Sequence, residues 1–510
     1  MVQSLVRCVR LKFLGFRLCD HDSNITYTDG QSVRYLKSER LHQVKHHGYG
    51  DFHSWVEDVK HWNIDFDNLD AAAICVDGYR GNNLIVKDDL IYQERPANSK
   101  ILDFLKCPVY VVDHHYAHAL SVWPVVDPST IKTHFVFDGF GDLDKTFSVF
   151  SNGKYVTYGK RPQQESFGIL LATYGRKLLI DGHFDDVCGK VMGLKSYGAV
   201  NDAFLKDHDK LSLPEIDKIF NIQAWLPHMN TVDAFKNDRD RLASMHAWVE
   251  KKYEEFFLKY ASPEDRITFT GGVAQNTVIN GRLKKIFPNL FIPPHTPDEG
   301  LSLGCVEFLR QKYEQPHFDN SGFPFWQDDV VPTTQPTDAT IKRVAELLAQ
   351  NKIVGWFQGK GEIGPRALGN RSILMNAAVA NGKNIINHKV KHREPYRPFG
   401  ASVLEEHKEE FFDCNFSTPY MLHVVDVHNK VIPAVTHVDS TCRIQTVDQK
   451  HSTYYHLIDS FRHLTGLPLV LNTSLNIQGK PIASKSEDAI TLFKESAMDA
   501  LCIGDELFIK

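Results

Sequence analysis

Nothing in this chain of 510 residues pairs its cysteines. Nine are scattered (Cys8, Cys19, Cys75, Cys107, Cys188, Cys305, Cys414, Cys442 and Cys502) and none has C-x-x-C spacing. That excludes a zinc ribbon and a disulfide frame, and fits reduced thiols in a reducing compartment. No run approaches the roughly 20 apolar residues needed to span a bilayer. The opening stretch MVQSLVRCVRLKFLGF is broken by Arg7, Arg10 and Lys12 and offers neither an apolar core nor a small-residue cleavage site, so a cytoplasmic protein without a signal peptide is expected. A basic excess is missing too. Lys and Arg number 58 against 63 Asp and Glu, with a net charge of -5, which removes a global nucleic-acid footprint but leaves room for a local basic groove. Internal repeats and low-complexity tracts are absent from the letters. What remains is an ordinary globular composition, 42% hydrophobic and 24% charged, on a chain too long for one core; two to four domains are expected.

Short apolar runs at residues 71–76, 109–112, 134–137 and 267–270 read as strands buried on both faces. Residues 11–16, 25–27 and 32–36 read as strands joined by a polar turn at Asp20-His21-Asp22-Ser23 and a second turn at Asp29-Gly30. Leu242, Met245, Trp248, Val249, Tyr253, Phe256 and Phe257 recur at helical spacing across 238–260. Strands alternating with helices indicate an α/β architecture. Between about 315 and 338 the composition shifts to Pro316, Pro324, Pro332 and Pro336 among Asn, Asp, Gly and Thr, which reads as a linker. Two domains are therefore expected, 1–325 and 326–510.

Four motifs in the first domain sit where strands end. His114 and His118 lie four apart, on one face if the chain turns helical after 109–112. That spacing suits two imidazoles on one metal, although the glutamate of H-E-x-x-H is missing. An ordinary surface pair is the competing reading in a chain with 25 histidines; the place, a strand opening into a helix, favours a ligand. Asp138-Gly139-Phe140-Gly141-Asp142 would let a phosphate approach the backbone and a carboxylate hold a cation, or would simply be a tight turn. Gly271-Gly272 and Asn276 mark a strand-to-helix junction that can meet a nucleotide. Asp298 precedes a small-residue helix, as a ligand or as a cap.

The second domain is crowded with cations. Arg366 and Arg371 lie in a glycine-broken loop, and Lys391, Arg393 and Arg397 fall within seven residues of each other. Guanidinium forks fit phosphate-like anions, whereas surface ion pairing would need interspersed acids. Only Glu362 and Glu394 are near, so an anion site is expected, with Asn472-Thr473-Ser474-Leu475-Asn476 able to add polar ligands.

In chain order, HDS (21–23), HHYAHA (114–119), DGFGD (138–142), GKVMGLKSYG (189–198), GGVAQN (271–276), KGEIGPRALGNRSIL (360–374), KHREPYRPF (391–399), TPYML (418–422), HVDSTCRIQ (437–445) and LNTSLN (471–476) resemble the carbamoyltransferase family that includes nodulation-factor, aminoglycoside and cephalosporin O-carbamoyltransferases. The pattern departs from that family at Lys195, where alanine is usual, at Lys360, where arginine is usual, at Ile363, where phenylalanine is usual, and at Asn24, where serine is common. The resemblance implies an actin-like (ASKHA) ATPase-fold first domain and a second domain similar to YrdC, a twisted α/β fold. It implies His114, His118, Asp138 and Asp298 as ligands of an Fe(2+)-type divalent ion, and a mixed imidazole and carboxylate set suits such an ion on independent grounds. It implies His21, beside Asp22, as the base at the acceptor hydroxyl, and Arg366 and Arg371 as catalytic. Gly139, Gly141, Lys190, Gly271, Gly272 and Asn276, with Lys391, Arg393, Arg397, Asn472 and Ser474, are the expected contacts to ATP and carbamoyl phosphate, with Mg(2+) an additional candidate.

The expected reaction has two steps. An alcohol is a poor nucleophile, so the carbamoyl group is first activated on the α-phosphate of ATP as carbamoyl-adenylate, with pyrophosphate released and the developing charge held by the cations. The carbamoyl group then passes to a hydroxyl of a small molecule, a sugar, an antibiotic-like metabolite or a hydroxymethyl nucleobase; a nucleic-acid acceptor stays open and a membrane partner is not expected. An actin-like sugar kinase is the first rival and leaves the arginine-rich half without a task. A tRNA-modifying threonylcarbamoyl-type enzyme is the second, and the chain lacks the basic excess it would use.

Overall fold

The computed structural model describes residues 10–18, 21–76, 86–87, 90–160, 166–178, 180, 182, 184–209, 235 and 237–510. Cys8, Cys19, Asp20 and most of the opening stretch lie outside the described residues. The other seven cysteines are free thiols. Among the described residues, no helix is long and apolar enough to cross a membrane.

A first sheet holds β1 (Phe13–Arg17), β2 (Asn24–Thr28), β3 (Val33–Lys37), β4 (Ala71–Cys75), β5 (Tyr92–Glu94) and β6 (Val109–Val112), in the order β3-β2-β1-β4-β6-β5. A second holds β7 (Thr133–Phe137), β8 (Lys145–Ser151), β9 (Lys154–Lys160), β10 (Ile267–Thr270) and β11 (Leu290–Phe291), in the order β11-β10-β7-β8-β9. Each is built the same way. Three antiparallel strands meander outward from the first one. The first strand then takes parallel neighbours on its other side, β4 and β6 in one sheet and β10 and β11 in the other. The central strands are buried at every position, which is why they read as continuous apolar runs. Sheet order 3-2-1-4-5, made twice in one chain, is the architecture of the actin-like ATPase fold. The structure thus contains an internal repeat that the letters do not show.

The second half forms one mixed sheet of β12 (Val354–Phe357), β13 (Arg371–Met375), β14 (Gly400–Leu404), β15 (His423–Asp426), β16 (Thr441–Val447), β17 (Leu469–Ser474), β18 (Ala500–Ile503) and β19 (Glu506–Ile509), in the order β15-β16-β14-β17-β13-β12-β18-β19. Helices Asp338–Ala349 and Ser452–Thr465 pack on it; Thr337 caps the first by accepting from Thr340 N–H, and Gly466 ends the second at φ 76.

The proline-rich stretch is not a free spacer. Phe318 and Trp326 belong to the core of the first sheet, and Gln327 is fully buried, its Oε1 accepting from Lys37 N–H at 3.0 Å. Docking of the halves continues at the backbone. Helix Thr277–Ile286 meets β15 at Gly281, where a Cβ would sit 2.2 Å from the Val424 carbonyl oxygen. Gly364 approaches Pro294 O equally closely, at 2.3 Å from an added Cβ. Ile363 and Leu422, from the second half, are buried in cores of the first.

Candidate active site

Three strand ends and one turn deliver one cluster. β6 runs into helix His114–Leu120, whose start is capped by Asp113 accepting from Tyr116 N–H at 2.9 Å. All seven residues of that helix are buried, so His114 and His118 are not a surface pair. β7 ends at Asp138. The turn after Pro297 presents Asp298, whose side chain caps nothing; instead Arg17, at the end of β1, donates to its Oδ2 at 2.7 Å. Asp138 Oδ2 lies 3.2 Å from His114 Nε2 and 3.0 Å from His118 Nε2, and Asp298 Oδ1 lies 3.4 Å from each. The other oxygen of each carboxylate is used elsewhere, Asp138 Oδ1 accepting from Gly139 N–H and, at 3.3 Å, from Gly272 N–H. Gly271 holds φ 88 and could carry no Cβ, which would fall 2.2 Å from Phe137 O. Gly272 leaves the space over Asp138 Oδ1 that a Cβ would fill. The glycine pair therefore serves the carboxylate.

Four ligand atoms within 4.8 Å of one another fit a transition ion. Ligands about 2.1 Å from a metal stand about 3.0–3.5 Å apart in common geometries, as the four imidazole–carboxylate pairs here do at 3.0–3.4 Å. Burial opposes ionisation of Asp138, yet its bonds to the two histidines hold it well below the usual carboxylate range. Burial likewise opposes ionisation of Asp298, and Arg17 and His114 outweigh it. Asp142, the last residue of the D-G-F-G-D motif, stays outside the ligand set. It accepts from His114 N–H at 3.0 Å, and burial together with nearby Asp113 pushes its carboxyl up to about 7. Gly141 has no room for a Cβ against His115.

His21 stands beside this cluster, its Nδ1 3.2 Å from Asp22 Oδ2 and 3.9 Å from Asp298 Oδ2. The Asp22 hydrogen bond raises its pKa to about 9 against the effect of burial, with Asp298 adding to the rise.

In the second half the structure gathers Arg366, Arg393 and Arg397 and adds Arg443 from β16, which the sequence reading quoted but did not single out. Burial, then neighbouring cations, push Arg366, Lys391 and Arg393 well below their usual range; burial takes Arg443 to about 10. Three carboxylates reach them among the described residues: Glu394, shared by Lys190 at 2.5 Å and Arg397 at 3.6 Å, Glu299 towards Arg366, and Asp186, paired with Lys45, towards Arg397. Arg393 donates to Pro398 O and lies 4.2 Å over the Phe399 ring. Lys391 is held by Ser474 and Asn476, four acceptor atoms at 2.7–3.2 Å. Glu299, next to Asp298, reaches electrostatically to Arg366, so the two clusters face each other across the docked halves.

Three expected site residues have other tasks. Arg371 is fully buried, paired with Asp329 at 3.0 Å, donating to the carbonyls of Gln358, Asn370 and Gly359, and lying over Phe357. That guanidinium is spent on joining the 315–337 segment to β13, so it is not placed for an anion. Asn276 caps helix Thr277–Ile286 and bonds His246 instead of opening towards a nucleotide. Asn472 ties β17 to Ala367 O, Ser402 and Gln445, while its Oδ1 stays buried without a bond.

The duplicated sheets define an actin-like ATPase frame, with the histidine and aspartate cluster at its strand ends. Residues 81–306 match the carbamoyltransferase N-terminus and residues 345–510 the carbamoyltransferase C-terminus. The chain is 30% identical to nodulation protein NolNO of Sinorhizobium fredii, over 96% of this chain and 79% of that protein. It is 32% identical to the 3'-hydroxymethylcephem-O-carbamoyltransferase of Amycolatopsis lactamdurans, over 78% and 72%. Among solved structures, the activator of 2-hydroxyisocaproyl-CoA dehydratase from Clostridium difficile aligns over 61% of this chain and 100% of its own at 13% identity and a TM-score of 0.35; the fold assignment rests on strand order. The chain belongs to the carbamoyltransferase family and transfers carbamoyl groups.

Proposed function

We propose that the chain is an ATP-dependent O-carbamoyltransferase whose two clusters run two half-reactions. The observation that carries the proposal is the set of four arginines, with Lys391 beside them, at the junction of the halves, where the carboxylates that reach them, Glu394, Glu299 and Asp186, are each also paired with a lysine. Like charges held together in low dielectric await an anion. Carbamoyl phosphate and ATP are the anions that the family and the chemistry supply. Water hydrolyses carbamoyl phosphate to carbamate and inorganic phosphate, and a carbamate oxygen then attacks the α-phosphorus of ATP. The bond to pyrophosphate breaks, and Arg366, Arg393 and Arg397 hold the charge that develops. The second half would in this reading be the YrdC-like, adenylate-forming unit. The adenylate is consumed at the first-half cluster, where the acceptor hydroxyl attacks the carbonyl carbon and AMP leaves.

His114, His118, Asp138 and Asp298 would hold an Fe(2+)-type ion, which when bound supplies Lewis-acid charge for the carbonyl and phosphate oxygens. His21, oriented by Asp22, takes the hydroxyl proton at Nε2 in its neutral form, whose share grows as the pH rises towards its raised pKa of about 9. The acceptor is an alcohol on a small molecule, as the cephem relative's name states for that enzyme. Carbamoyl phosphate-dependent release of pyrophosphate from ATP tests the reading. Release is expected in the wild type and loss in Arg393→Ala; an Arg393→Ala chain that is folded and fully active would overturn it.

A further inference from the structure

The proposed base stands on a carboxylate that it shares with a second histidine. Asp22 Oδ2 lies 3.2 Å from His21 Nδ1 and 3.1 Å from His46 Nδ1. Burial favours the neutral acid of Asp22, but these two bonds hold it far below the usual carboxylate range. A carboxylate only accepts hydrogen bonds, so both rings carry their proton on Nδ1. In neutral His21 the basic lone pair is therefore the one on Nε2. The backbone is shaped around this pairing. Asp22 and His46 both adopt left-handed conformations, at φ 50 and φ 55, which non-glycine residues hold only where their surroundings impose it. Residue 46 is also anchored from its main chain, its N–H donating to Glu39 Oε2 at 2.9 Å. Ser23 N–H donates to His47 O at 3.0 Å, and Ser38 Oγ bonds both Ser23 O and His47 O. The loop carrying His46 is therefore stitched to the turn carrying His21 and Asp22.

Asp22, Glu39 and His46 also group closely enough to suggest a second metal. Lys37 already fills that role, its Nζ lying 3.1 Å from Glu39 Oε1. The geometry points instead to His46 as a positioning residue for carbamoyl transfer, one that fixes the Asp22 carboxylate so that His21 presents Nε2 to the acceptor hydroxyl. The inference rests on His21 being the base of the proposed reaction.

The full chain is tested with ATP, carbamoyl phosphate and methanol as the probe alcohol, following pyrophosphate for the first step and AMP for the second. His46→Leu should lower kcat for AMP release about 10–100-fold, the usual worth of an outer-shell partner. The KM for methanol and the pyrophosphate step should not move. His46→Asn, whose amide N–H occupies the place of Nδ1–H, should recover most of the loss. Independently of any turnover, the downfield ring N–H resonance of His21, assigned by its absence in His21→Asn, should vanish or shift in His46→Leu and return in His46→Asn. Equal impairment in the Leu and Asn variants, or an unmoved His21 resonance in both, would overturn the positioning role. A wild type that releases no pyrophosphate would sink the proposed function, while the resonance still decides whether His46 orients His21.

Discussion

The two charged clusters handle buried charge in opposite ways. In the first half every formal anion meets cationic or hydrogen-bonding partners: Asp138 has two imidazoles and two backbone N–H groups, and Asp298 has Arg17 and the same imidazoles. In the second half four arginines and Lys391 face one another and outnumber the carboxylates that reach them, Glu394, Glu299 and Asp186, each of which also pairs with a lysine. One arrangement balances its charges among its own side chains. The other carries an excess of cations, which in the proposed reaction bound anions would offset. Such a division suits a reaction that first gathers phosphates and then works on a carbonyl, and it separates residues that stabilise the fold from residues that cost it stability.

The largest effect should come from an arginine that looks like its neighbours in sequence but is not one of them. Arg371→Ala leaves Asp329 buried without its partner, and loss of about 3–5 kcal/mol in denaturant unfolding is expected; unchanged stability would return Arg371 to the anion site. Arg366→Met should do the reverse. Removing one of the crowded cations should raise stability by about 0.5–2 kcal/mol while lowering pyrophosphate release about 10²–10³-fold. A destabilised Arg366→Met chain would show that the cluster is internally compensated. A smaller effect is expected where the halves dock. Gly281→Ala places a methyl on the Val424 carbonyl and should cost about 1–3 kcal/mol, read as a lower melting temperature. Lys285→Ala, which removes an exposed pair with Asp426 at 3.0 Å, should cost at most about 1 kcal/mol.

The sequence made His114, His118 and Asp138 legible because they follow buried strands, where α/β folds place chemistry, and Asp298 because its loop precedes a small-residue helix. His114, His118, Asp138 and Asp298 converge as expected. What could not be read are properties set by distant partners. Arg371 and Arg393 carry the same side chain in similar loops, and only the position of Asp329, 42 residues from Arg371, tells them apart. That aspartate lies in a stretch whose prolines suggested a spacer, because composition reports turn content and not burial. Asn276 follows a glycine pair, as a nucleotide-binding residue might be expected to, yet the same position is an N-cap. Arg443 is one cation in a strand, without a local signal beyond its motif. The doubled sheet left no trace in the letters because strand order is a property of backbone pairing, which dissimilar apolar segments satisfy equally well.

The account rests on two centres that can be uncoupled, and the most direct measurement follows both half-reactions in the double variant His114→Ala/His118→Ala. With the fold confirmed by an unchanged melting profile of the second half, carbamoyl phosphate-dependent pyrophosphate release should continue. Bound transition metal and carbamoylated alcohol should both disappear. Loss of pyrophosphate release and transfer together in a folded variant, or transfer that persists without metal, would contradict the division of labour between the two clusters.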